Sequence, residues 1–130
     1  GVDLEEDLDE SDFNWLCVQG TLQSFNQNIH LYHQGDVGET VYVLRSGSVK
    51  ATCTDRFGHE ALLKIHGPGS FLGLSALRPT GRRDATGVTL EPCEVVMFRR
   101  DEFFTLMRNE GRLGILLVQL LLKRQQQLHA

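Results

Sequence analysis

Thr40-Val41-Tyr42-Val43-Leu44-Arg45-Ser46-Gly47-Ser48-Val49-Lys50-Ala51-Thr52-Cys53 carries the strongest strand signal in the chain. Its first five residues are mostly β-branched or aromatic, with apolar groups on both faces of any strand they form. Such a run belongs to a strand covered on two sides. Gly47 breaks it, and residues 47–53 then alternate with period two. Working outward, Ile29 and Leu31 alternate with His30 and Tyr32. Asp55-Arg56-Phe57-Gly58 is a hairpin turn from which Ala61 to Ile65 returns, and Gly67-Pro68-Gly69 is a strong breaker. Cys93 to Phe98 is the last strand. Short strands with turn signals at near-regular intervals predict a mainly β chain, a double-stranded β-helix jelly roll.

Both ends change period. A short helix is predicted over Ser11 to Val18, with Asp9 or Ser11 accepting from the free amides of its first turn and Gly20 ending it. Near the other end, Asp101 is expected to cap a helix through Phe103, Phe104, Leu106 and Met107. After Asn109-Glu110-Gly111, a second helix begins near Arg112. Its segment Leu113 to Leu122 is apolar almost all round and needs cover on two sides. Leu113, Leu117 and Leu120 follow a four-then-three step, the seam of a coiled coil, which points to a homodimer. The competing reading folds that helix entirely onto its own roll. The layout is thus an acidic lead-in (1–10), a roll with flanking helices (11–108) and a C-terminal dimerisation helix (109–130).

The 130 residues suit one core. The net charge of −4 hides an asymmetry: seven acids and no base stand in residues 1–12, and the remainder is close to neutral. That balance leaves no electrostatic footprint for nucleic acid. No run reaches the ~18 apolar residues of a membrane helix, and no signal peptide opens the chain, so the expected compartment is the cytoplasm. Cys17, Cys53 and Cys93 include no CxxC pair and read as reduced thiols, Cys93 within the core. His30, His33 and Glu39 invite comparison with cupin metal sites. A strand-borne metal pair wants histidines two apart, and His30 and His33, three apart, fall on opposite faces of a regular strand. No metal site is therefore expected. Glu91 and Glu94 sit at a turn and on a strand without a partner nucleophile, and no enzymatic constellation emerges.

In order, Ile29-His30-Leu31-Tyr32-His33-Gln34-Gly35-Asp36, Val41 to Val49, Gly67-Pro68-Gly69-Ser70-Phe71-Leu72-Gly73, Leu90 to Val95 and the helix from Arg100 to Met107 resemble the cyclic-nucleotide-binding domain of the Crp/Fnr regulators. The resemblance covers about residues 10–130. It implies an effector-sensing domain whose phosphate-binding cassette offers backbone N–H groups and an arginine to an anion, the physics of charge-assisted bonding. The positions that match are Gly73, Leu74, Ser75, Arg83, Asp84 and Ala85, and the effectors implied are cyclic AMP, cyclic GMP or another small molecule. Leu74 stands where the family has a carboxylate for the ribose hydroxyl. Asp84 stands where it has a serine beside the arginine. A carboxylate ~4 Å from a phosphate costs roughly 4 kcal/mol at an effective dielectric of about 20. Asp84 is accordingly expected to pair with Arg82, Arg83 or the ligand-free helix N-terminus. Leu128 and His129 fall where the family's long helix approaches the nucleobase. DNA contact would come only through a helix-turn-helix domain not in this chain, and the helical pattern through Leu128 carries no stop signal. The alternative on the same fold is a ligand-free dimerisation scaffold.

Overall fold

The computed structural model describes residues 4–5 and 8–128. In chain order its elements are β1 (Leu4–Glu5), α1 (Glu10–Cys17), β2 (Thr21–Phe25), β3 (His30–Tyr32), β4 (Thr40–Ser46), β5 (Val49–Thr54), β6 (Glu60–His66), β7 (Phe71–Leu72), a 3-10 turn (Leu74–Leu77), β8 (Thr86–Thr89), β9 (Cys93–Arg99), α2 (Arg100–Asn109) and α3 (Gly111–Leu128). Two sheets form, in the orders β1-β6-β5-β8-β3 and β2-β9-β4-β7. β1 joins β6 in parallel and the other pairs are antiparallel. This is the jelly-roll arrangement expected from the strand pattern. The chain divides into two compact units, Gly1–Arg100 and Asp101–Ala130.

β4 is the strand around which the first unit is organised. It pairs with β9 on one side and β7 on the other. Val41, Tyr42, Val43 and Leu44 are all buried, as a run with apolar groups on both faces requires. One face of the pair meets the opposite sheet, where Tyr42, Leu44, Leu72, Cys93 and Val95 cluster with Tyr32 and Val49. On the other face Val41, Val43, Val96 and Phe98 are equally dry. α1, with its buried Leu16, lies against β4. Fully burying one such side chain is worth about 1.5–3 kcal/mol, so this double-sided strand pair dominates the core. Both faces of β9 are covered, since Val96 and Phe98 are as buried as Val95.

Local chemistry sets the ends of the elements. Asp9 is the N-cap of α1, its carboxylate accepting from Asp12 N–H at 2.8 Å. At the β5–β6 hairpin, Asp55 Oδ1 accepts from the N–H groups of Phe57 and His59 at 2.8 and 3.0 Å, which holds the turn. α2 starts at Arg100, as the resemblance implied: Arg100 N–H donates to Glu39 O at 2.7 Å, and the helix grows directly from β9, with Asp101 inside its first turn rather than capping it. The break between the last two helices is Glu110 alone, and Gly111 opens α3.

Two expectations are corrected. His30 and His33 do not diverge. The pairing of β3 with β8 shifts register between His30 and Tyr32, which turns Tyr32 into the core and leaves both imidazoles outside, stacked with centroids 4.7 Å apart. Even so, no group of three or more metal-ligating side chains forms among the described residues. In α3, Leu113, Leu117 and Leu120 are buried, so they are not an open seam. Ile115, Val118, Leu121 and Leu122 are exposed instead, a second apolar stripe on the same helix. No helix among the described residues is long and apolar enough to cross a membrane. His129 and the side chain of Leu128 lie outside the described residues, as does most of the acidic lead-in.

Burial pushes the thiols of Cys93 and Cys17 up, Arg45 offsetting part of the effect at Cys17. Both stay protonated in the folded chain at pH values where the unfolded chain ionises. Their contribution is thus complete below the ordinary thiol pKa and is lost as pH rises through the folded values. Urea midpoints should hold up to about pH 8.5 and decline above it, and Cys93→Ala should flatten that decline. A midpoint that rises with pH in this window contradicts the assignment.

Candidate functional site

The site is built where β7 ends. Phe71 and Leu72 pair with Val43 and Tyr42, which places Gly73 beside the start of β4. Gly73 adopts the left-handed region at φ 72° and reverses the chain into the 3-10 turn. Within the turn Ala76 N–H donates to Gly73 O and Arg78 N–H to Ser75 O, both at 3.1 Å. After residues 78–82, the chain is gripped by the loop that follows β3. Arg83 N–H donates to Asp36 O at 2.8 Å, Gly35 N–H to Arg83 O at 2.9 Å and Gly38 N–H to Gly81 O at 2.8 Å.

These backbone bonds drive the Arg83 side chain inward. The residue is only 5% exposed. Its Nη1 donates to Gly73 O at 2.8 Å, and its Nη2 to Thr40 O at 2.9 Å and Thr40 Oγ1 at 3.1 Å. The guanidinium carbon lies 4.7 Å from the centre of the Tyr32 ring, a cation–π contact. Thr40 Oγ1 in turn donates to the Tyr42 hydroxyl at 3.0 Å, which donates to Leu31 O at 3.3 Å. Burial lowers the pKa of the guanidinium from its ordinary value, with Tyr42, Tyr32 and Asp84 opposing the shift. Every acceptor bonded to it is neutral. Nε–H has no acceptor among the described residues. Nε is not among the buried side-chain atoms that lack a partner, so this donor is open to solvent.

The residues predicted from sequence divide accordingly. Gly73, Ser75, Arg83 and the backbone of Asp84 come together: Asp84 N–H reaches Ser75 Oγ at 3.4 Å, and Ser75 and Ala85 are buried. Leu74 sits half-buried on the turn. The Asp84 carboxylate turns away and pairs with Arg78 at 3.5 Å, both side chains being 58% exposed. Arg82 is engaged elsewhere, Nη1 donating to Gly35 O at 2.8 Å. Pairing of Asp84 with Arg82 or Arg83 is thus corrected. Residue 78 reaches it across the mouth of the turn, and an exposed pair of this kind is worth about 0–1 kcal/mol. The carboxylate thus lies against an exposed partner at the surface, while its charge is still felt at the Arg83 guanidinium.

Sequence reading missed Tyr32, Thr40 and Gly38. Tyr32 alternates with Leu31 in sequence, and the register shift in β3 that brings it into the core is invisible in that alternation. Gly38 matters by what it lacks: a Cβ there would lie 2.1 Å from Arg83 Nε. Its sequence neighbours give no hint that a side chain 45 positions away needs that space.

A family described as the cyclic nucleotide-binding domain matches residues 22–110. The cyclic AMP receptor protein of Thermus thermophilus is 31% identical over 100 residues, covering 77% of this chain and 46% of that protein. The crystal structure of the Thermus thermophilus catabolite activator protein superposes with a TM-score of 0.82 at 26% identity, covering 94% of this chain and 57% of the other. The c-di-GMP-responsive regulator CLP of Xanthomonas campestris shares the fold, at a TM-score of 0.77 and 20% identity over 88% of this chain and 59% of that one. The chain spans about half the length of the curated relatives it matches.

Gly38→Ala should therefore evict Arg83 and lower stability by about 1–3 kcal/mol in urea denaturation. In an Arg83→Ala background the same substitution should cost far less, because its clash partner is gone. Equal costs in both backgrounds would show that Gly38 serves some other purpose.

Proposed function

Since this chain belongs to the cyclic nucleotide-binding domain family, we propose that it is the effector-sensing, dimerising half of a Crp/Fnr-type transcription regulator acting in the cytoplasm. The observation that carries this reading is the Arg83 guanidinium, held inside the roll by neutral acceptors with Nε–H unspent. An anionic effector at Gly73 to Ala85 would take that charge. A cyclic nucleotide fits the phosphate end of the site. Leu74 supplies no hydroxyl acceptor, so affinity for a ribose would rest on the remaining contacts. Relatives differ in the effectors their names carry, cyclic AMP in one and c-di-GMP in another. DNA reading would belong to a helix-turn-helix domain beyond these residues. No catalytic role is proposed.

A ligand-free scaffold on the same roll is the competing reading. It is favoured by the contacts that already occupy Nη1 and Nη2 of Arg83. Thermal-shift titration with cyclic AMP and cyclic GMP at millimolar concentration separates the two. A ligand at about 100 times its dissociation constant adds roughly 2.7 kcal/mol, several degrees in Tm. The shift should vanish in Arg83→Gln. No shift with either nucleotide counts against a cyclic-nucleotide effector, and no shift with any small anion leaves the scaffold.

Dimerisation is assigned to α3 through the face bearing Ile115, Val118 and Leu122, spaced three and four apart and exposed. This replaces the Leu113–Leu117–Leu120 seam. Sedimentation equilibrium at high micromolar concentration should return a dimer for the native chain and a monomer for Ile115→Glu with Val118→Glu. A native chain that stays monomeric removes this part of the reading.

A further inference from the structure

The 3-10 turn is suspended between two arginines. At its leading end Arg83 Nη1 donates to Gly73 O at 2.8 Å. At its trailing end Arg100 Nε donates to Ala76 O at 2.7 Å, and Arg100 Nη2 to Arg78 O at 3.3 Å. Carbonyl groups at the end of a helical segment lack partners within it and carry partial negative charge, so a guanidinium there is favoured by hydrogen bonding and by electrostatics together. Arg78 O also accepts from Gly81 N–H at 2.9 Å. Arg100 is moreover the residue at which β9 passes into α2, and its own N–H is fixed to Glu39 O. One residue thus belongs at once to the cassette, through its side chain, and to the first turn of a helix, through its backbone.

We propose that Arg100 is the positioning residue that carries the state of the cassette into the first turn of α2. This rests on the effector reading of the same site. An anion that draws Arg83 toward itself weakens the bond to Gly73 O, and the turn then stays held by Arg100 at its trailing end and by the long Asp84 N–H contact to Ser75 Oγ. Any displacement of Ala76 is passed through the charge-assisted bond to Arg100, whose backbone begins the helix. The exposed Arg78–Asp84 pair is too weak to hold the turn against such a displacement. Arg99, the preceding residue, is exposed on the strand and has no hydrogen bond to the turn.

The test uses the whole chain and no ligand. Amide hydrogen exchange is compared in the native chain, Arg83→Gln, Arg100→Gln and the double variant. Arg83→Gln should speed exchange at Ala76 and Arg78 and also at Phe104 and Thr105, by about 5-fold or more at the helix amides if the coupling is of ordinary allosteric size. In the Arg100→Gln background the same change should still free the turn but leave Phe104 and Thr105 nearly unaffected. Equal increments in both backgrounds overturn the proposal, and so does a silent α2 in Arg83→Gln. If Arg83→Gln does not fold, Arg83→Lys serves, since it keeps the charge but cannot bridge Gly73 and Thr40. Cyclic AMP added to the native chain tests the underlying reading separately. Absence of protection at residues 73–85 counts against that nucleotide as effector, while the ligand-free increments alone decide the role of Arg100.

Discussion

A charged guanidinium buried without a counter-charge is the constraint around which the first unit is arranged. An ionised group taken out of water costs several kcal/mol unless its donors are met. Arg83 meets that requirement at Nη1 and Nη2, with two backbone carbonyls, one hydroxyl and the face of an aromatic ring, and leaves Nε–H without an acceptor among the described residues. Each partner imposes a condition on a different part of the chain. Gly73 must turn left-handed so that its carbonyl faces inward, Gly38 must carry no side chain, and β3 must shift register so that Tyr32 lies under the cation. Gly87 answers the same demand one layer further out, since a Cβ there would lie 2.6 Å from the Tyr32 ring.

The same economy explains how the cassette tolerates an acidic residue beside its arginine. Asp84 continues the chain away from the buried cation, and Arg78 meets it at the surface. High dielectric at that position keeps the pair weak. Three arginines, 82, 83 and 100, donate to main-chain carbonyls of this one region. These cations add to the buried apolar residues Leu72, Ala76 and Ala85 that pack the same region.

The two apolar stripes of α3 show how a single composition serves two ends. A helix that is apolar nearly all round cannot be satisfied along one line of contact. The structure resolves the stripe into Leu113, Leu117 and Leu120, buried, and Ile115, Val118, Leu121 and Leu122, exposed. Heptad spacing alone selects the first set, because three leucines in a four-then-three step look the same whether they face a partner or their own chain.

Much of this protein was legible in its residues. The double-sided run from Thr40 to Leu44, the glycine turns and the change to helical period after Phe98 specify strands, hairpins and helices by local physics. The grouping of Gly73, Ser75, Arg83 and Ala85 came from the resemblance to the family's cassette, not from spacing or periodicity. What only the tertiary structure decided are relations between distant positions: Gly38 and Tyr32 against Arg83, Arg78 instead of Arg82 against Asp84, and Arg100 against the turn at Ala76. The reason is physical. Side-chain periodicity reports which face of an element is apolar, but a one-residue register shift, the direction a buried cation takes and the space a missing Cβ leaves are fixed by partners that sequence separation conceals.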